Sequence, residues 1–427
     1  MDYKKMKGLL LILLMTMAGL AGCLGTDDDE EEETTTMSMD ASDGGYTYAS
    51  DVDNHRSLMK DLCDIKAAAS SDGGYNFATA KDIYMNGKNA QKDSGSYRTL
   101  AGFAAAEGKN HGYDTYYGQA GSVDAHIMAA LDGTGDFAGT SDTVRYQGVA
   151  KLTANLGMVA YTIHELNSAV GKAADGNVDN DSGAPHNWDE GWAFFHGPDE
   201  DVSCSPVATL NKRGADFGTE TNGVSNTFTA IEAAMVSGLT AIQNNDTAGY
   251  TDATNTIVKN LIIAYSQATL KYTSKMDSNE SGPKYQAEGY TFWKTIEAYV
   301  ADYTDACYNN KTHGMTWIGA GQASNCDAFQ WYENTTMHNG VSFTGCYNME
   351  VHVEATGVNE TECNDGFGSV GSTGMPMYYD NYGASQMNGI LDLTDASQLG
   401  TSYDVSAWFT GAWKHYGITT ADIGTYA

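Results

Sequence analysis

One acidic and aromatic element occurs twice in this chain, and that repetition restricts the fold more than any other feature. Asp181–Phe195 reads DSGAPHNWDEGWAFF and Glu280–Trp293 reads ESGPKYQAEGYTFW. Each has Ser-Gly, then proline, then Glu-Gly followed by aromatics, and Pro185 precedes Glu190 by the same interval as Pro283 precedes Glu288. Each also follows a long segment with helical periodicity. In Gln147–Ala173 the residues Val149, Leu152, Leu156, Val159, Ile163, Leu166 and Val170 form one apolar stripe. In Thr256–Met276 the stripe is Val258, Leu261, Tyr265, Ala268 and Tyr272. The shared order is helix, loop, long helix, Ser-Gly-Pro loop, Glu-Gly-aromatic helix. It predicts a mainly α fold with an internally duplicated helical unit, over about 126–197 and 233–295. Pro185 suits a helix start, and Asp189 and Glu190 are expected in the first turn, where the helix dipole favours negative charge.

The ends of the chain read differently. Lys4, Lys5 and Lys7 precede the apolar run Gly8–Leu20, a signal peptide over 1–22 that is too short for a membrane span. The run closes on Leu20-Ala21-Gly22-Cys23, a lipobox pattern that predicts lipidation at Cys23 and attachment to the outer face of the membrane. Residues 23–45 include the acidic run Asp27–Glu33 and read as a solvated tether. A helical domain follows over 46–306, with a Tyr/Gly loop at His111–Gly121 and a basic loop at Lys212–Gly218. Residues 307–372 form a small Cys-rich, partly β insertion in which Glu350–Ala355 alternates like a strand. The last segment, 373–427, supplies helices that close the same domain. Beyond Cys23 there are Cys63, Cys204, Cys307, Cys326, Cys346 and Cys363, an even number that predicts three disulfides in an exported chain, with the pairing open. The net charge of −32 excludes nucleic acid as a partner and favours cations.

No motif of an enzyme is present: His164-Glu165 lacks the second histidine of HExxH, and there is no GxSxG, P-loop or Rossmann fingerprint. A metal site is the better reading, and no enzyme is expected. Tyr161, His164 and Glu165 stand at helical spacing on a face away from the main stripe, and His186 and Glu190 stand one turn apart beside Asp189. Phenolate, carboxylate and imidazole suit a hard ion such as Fe³⁺, while the missing thiolate pairs argue against zinc or Cu(I). Tyr265 and Glu288 are the matching candidates of the second copy, although Tyr265 also lies on an apolar stripe. In that register His186 meets Lys284 and Glu165 meets Thr269, so the second copy is the weaker site. Arg213 is placed to hold a carbonate-like synergistic anion by charge-assisted hydrogen bonds.

Several segments carry a resemblance: Ile83-Tyr84-Met85-Asn86-Gly87-Lys88-Asn89, Arg98-Thr99-Leu100-Ala101, His186–Phe195, Lys212–Gly218, and Tyr416-Gly417-Ile418 with Asp422-Ile423-Gly424. With these the chain resembles the Fe-assimilating, low-iron-inducible periplasmic proteins of algae, which are related to the phytotransferrins. The resemblance implies extracytoplasmic iron binding in support of iron uptake, with an iron transporter as a partner. The lipobox departs from algal secretion signals. The competing reading is a metal-free surface lipoprotein whose aromatic loops bind glycans or a partner.

Overall fold

The computed structural model describes residues 42–106, 109, 112–337, 339–367 and 377–427. The signal peptide, Cys23, most of the tether, His111 and the end of the Cys-rich segment lie outside them. The chain is mainly helical with small antiparallel sheets, and it divides into two units. The first holds the described residues to Ile296 with Asp392–Thr401 and Ala421–Ala427; the second holds Glu297–Leu391 and Ser402–Thr420. No described helix is long and apolar enough to cross a membrane.

The first unit opens with a short hairpin, Ser42–Asp43 against Tyr46–Thr47, and the helix Asp53–Ala69. This helix buries His55, Leu58, Met59, Leu62, Ile65 and Ala69, a stripe with a histidine at its head. Cys63 is bonded to Cys204, which fixes the helix to the turn Asp199–Cys204. The segment read as one helix, Gln147–Ala173, runs as helix Asp142–Lys151, π-helix Leu152–Gly157 and helix Met158–Ala174. Inside the wider turn Thr153 Oγ1 donates to the Val149 carbonyl at 2.7 Å, and Asn155 Nδ2 donates to the Lys151 carbonyl at 2.9 Å. These side-chain bonds occupy carbonyls at the point where the backbone ladder changes register. All seven stripe residues are buried.

The helix of the first acidic-aromatic element spans Ala184–Phe195, with Pro185 at its start. It begins early enough that Asp189 and Glu190 fall in the second turn and not the first. The helix dipole therefore does not account for them. Both are buried, as are Trp188, Trp192, Phe194 and Phe195. Gly191 brings this helix close to Met158–Ala174: a β-carbon there would lie 3.2 Å from Leu166 Cδ2 and 3.6 Å from the Thr162 carbonyl oxygen. Gly238 does the same for Asn226–Gln243, because Trp188 occupies the place of its missing side chain. Two expected loops are helical instead. Gly112–Tyr117 is a short helix whose Tyr113 hydroxyl donates to the Thr295 carbonyl at 2.6 Å. Lys212 and Arg213 belong to the helix Pro206–Phe217, which ends at Gly218 with φ 67°. The helices Thr247–Thr273 and Gly282–Val300 follow, the latter carrying the second element.

In the second unit Asp305–Asn309 pairs antiparallel with Gly314–Gly319 and with Tyr378–Tyr379. Phe329–Thr336, Ser342–Asn348 and Val353–Ala355 form another antiparallel sheet. Disulfides Cys307–Cys326 and Cys346–Cys363 sit in one buried cluster with Ile318, Phe329 and Phe367. Helices Tyr382–Ile390 and Ser406–His415 complete the unit.

Candidate metal centre

Glu190 is the hub of a buried polar cluster. His55 Nε2 and His186 Nε2 each lie 3.2 Å from its Oε1. Asn187 Nδ2 donates to Glu165 Oε2 at 2.6 Å and approaches Glu190 Oε2 at 3.2 Å. The close helix contact at Gly191 is what lets Glu165, on one helix, reach Glu190 on the other. His186 Nδ1 is braced by Ser50 Oγ at 2.9 Å. Phe103 and Phe194 pack around the His55 ring at 6.1 and 5.5 Å between centroids, walling one side with aromatic carbon.

The protonation of the cluster follows from its burial and charges. Burial opposes ionisation of Glu190, but the two histidines outweigh it and hold the carboxyl well below the usual range. Burial and then the negative charge of Glu190 push Glu165 well above the usual carboxylate range. Burial works against a charged His186, and the hydrogen bond and charge of Glu190 overcome it and raise the imidazole. The deeper His55 is pushed down to about 3, chiefly by burial, which outweighs the opposing pull of the Glu190 charge. Buried His55 Nδ1 and Asn187 Oδ1 have no hydrogen-bond partner. Two carboxyls and two imidazoles thus face one another in a buried cluster. Among the described residues no three His, Cys, Asp or Glu side chains stand in a ligating arrangement.

The structure brings Glu165, His186 and Glu190 together and adds His55, Asn187 and Ser50, which sequence reasoning did not select. His55 left one signal: a histidine in register with the apolar stripe of its helix. Tyr161 is buried beside the cluster, its ring 4.3 Å from Phe103 and 5.1 Å from both Phe194 and His164. Asp189 points elsewhere. Its Oδ1 accepts from the Tyr46 hydroxyl at 2.5 Å, and its Oδ2 accepts from the Ala49 and Ser50 amides and the Ser50 hydroxyl at 2.7–2.8 Å. Tyr265 donates to Asn155 Oδ1 at 2.9 Å, and burial raises its phenol well above the usual value. Glu288 and Arg213 lie in a second cluster with Lys151, Lys284, Tyr272 and Asp216. Among the described residues no hydrogen bond or ion pair joins Arg213 to the Glu190 cluster.

Fold and site together define a mainly helical, disulfide-bonded protein built around a buried carboxyl pair braced by imidazoles. The chain belongs to the low iron-inducible periplasmic protein family, which matches residues 28–300 and thereby links it to iron assimilation. The matched span contains the Glu190 cluster and ends close to the boundary between the two units; the Tyr416–Gly424 resemblance lies beyond it. No curated protein and no solved structure gives a comparable match.

Proposed function

We propose that this protein captures ferric iron outside the cytoplasm and passes it to uptake without chemical turnover. Glu165, Glu190, His55 and His186 are the ligands in this reading, and Tyr161 and His164 are the neighbours that complete the shell. The lipid anchor at Cys23 holds the protein at the outer face of the membrane, where an iron transporter receives the cargo. The observation that carries the reading is the pair Glu165 and Glu190: two buried carboxyls bridged by Asn187, with two imidazoles turned on one oxygen of Glu190. Burying that many ionisable groups together is costly without a cation, since a buried charge needs a compensating partner. Oxygen and nitrogen donors without thiolate suit iron. Iron is the cargo here, bound and released.

The test is direct. The iron-free protein is titrated with a ferric chelate of known affinity and desalted, and iron per chain is measured. The expectation is one tightly held iron, lost in Glu190→Gln and in His55→Ala. Unaltered protein that retains no iron at micromolar metal would end the reading.

A further inference from the structure

A second cluster in the first unit carries the opposite charge. Glu288 sits in the helix Gly282–Val300 with its side chain almost buried, and two ammonium groups face its two oxygens: Lys151 Nζ at 3.8 Å from Oε2 and Lys284 Nζ at 3.8 Å from Oε1. Both separations are too long for hydrogen bonds. Lys151 gives one N–H to Gln147 Oε1, and Lys284 gives none to Glu288, so most of their donors are unspent. The Tyr272 hydroxyl lies between Glu288 and Arg213. Arg213 pairs with Asp216 through Nη2 at 2.9 Å, and its buried Nε and Nη1 have no partner.

The surroundings add more positive charge. After Glu288, the charges acting most strongly on Lys151 are Lys284, Lys66 and Lys212. Among the described residues neither Lys66 nor Lys212 has a carboxylate within ion-pair distance. The chain has 23 Lys and Arg against 55 Asp and Glu, so chance would surround a lysine with carboxylates. Here two lysines face one glutamate, and the strongest further charges acting on Lys151 are again lysines. The Lys284 side chain is 42% exposed and that of Lys151 22%, so the cluster lies at the edge of the buried interior.

We propose that Lys151 and Lys284, held against Glu288 beside the unpartnered guanidinium donors of Arg213, form a binding site for a small multivalent oxyanion. Glu288 holds the two nearer lysines in place without consuming their donors. The oxyanion takes those donors and supplies the charge that the cluster lacks. Burial, and then the neighbouring lysines, bring Lys151 down to about 8, the direction expected for an ammonium that is short of a counter-charge. The site depends on no part of the iron reading.

The test is calorimetric titration of the iron-free protein with inorganic phosphate and, separately, with citrate, at constant chloride concentration. The expected result is saturable binding of one anion per chain. It weakens by roughly tenfold or more in Lys151→Gln and in Lys284→Gln. It is unchanged in His186→Ala and Glu190→Gln, and circular dichroism confirms that every variant is folded. Tighter phosphate binding assigns a phosphate source and tighter citrate binding a carboxylate source; loss of either in both lysine variants supports the site. Absence of saturable binding at millimolar anion overturns the proposal. So does an equal loss in Lys81→Gln, whose ammonium pairs with Asp132; that result would mean charge attraction alone.

Discussion

Asp189 and Glu190 are adjacent, buried and of the same chemical kind, yet their surroundings predict opposite consequences of removing them. Asp189→Ala deletes the acceptor of four donors: the Tyr46 hydroxyl, the Ala49 and Ser50 amides, and the Ser50 hydroxyl. Tyr46 and Ser50 are themselves buried, so those donors have no route to bulk water. Each buried donor left without a partner costs about 1–3 kcal/mol. The expected loss is about 4 kcal/mol or more, among the largest for a single substitution. Glu190→Gln keeps the shape and an oxygen acceptor for the imidazoles, and Asn187 can turn its amide to meet the new NH₂ group. The stability change should stay within about 2 kcal/mol. Iron binding should respond in the other sense. Replacing a partner in the outer shell of a metal weakens binding by about 10–100-fold; replacing an anionic ligand should exceed 100-fold. Urea unfolding gives the first quantity, and competition with a calibrated chelator gives the second. The reasoning fails if Asp189→Ala unfolds within 1 kcal/mol (about the value of one hydrogen bond) of the unaltered protein. It fails equally if Glu190→Gln binds iron as tightly as the unaltered protein.

Four further outcomes follow from the same geometry. If Tyr161 enters the shell as phenolate, ferric protein shows a visible charge-transfer band that Tyr161→Phe abolishes; a band that survives assigns it to another tyrosine. Anion binding at Lys151 should fade as pH rises through about 8, because the ammonium form is the one that binds and Lys151 loses its proton there; Lys66, Lys212 and Lys284 oppose that charge and Glu288 supports it, and calorimetry at pH 7 and 9 reads the difference. Gly238→Ala drives a methyl group into the fully buried Trp188 and should cost about 1–3 kcal/mol in denaturant unfolding. Replacing Cys63 and Cys204 by serine opens a loop closed across a sequence separation of 141 and should cost about 3–5 kcal/mol, seen as a lower melting temperature.

What was legible in the sequence was what repeats locally. The stripe from Val149 to Val170 is a matter of helical period, and every member is buried. The neighbours His186 and Glu190 are one turn apart, so their meeting is written in the spacing. The π-helix at Leu152–Gly157 was not legible, since it depends on which carbonyls the side chains of Thr153 and Asn155 occupy. His55 was not legible as a site residue either. It reaches Glu190 from a helix distant in sequence, and locally it reads as one more member of an apolar stripe. Nor does sequence separate Asp189 from Glu190. Consecutive helical side chains point about 100° apart, so one faces the N-terminal segment and the other faces Glu165, and only the packing says which.

The repeated interval from proline to glutamate gains meaning from the packing around it. Each element places a glutamate on a buried helix face, one turn after a basic residue: His186 before Glu190 and Lys284 before Glu288. An imidazole can lose its proton and become a ligand near neutral pH, so the glutamate it serves can gather a cation. A lysine ammonium keeps its charge far above neutral pH unless burial pulls it down, so the glutamate it serves gathers further ammonium groups and, through them, an anion. Lys284→His would place an imidazole in the second element, but Lys151, Lys66 and Lys212 would still repel a metal ion. That variant should therefore lose oxyanion binding without gaining iron. The sign of each site is set by the helices that surround its glutamate, and the single basic residue one turn earlier reports that sign.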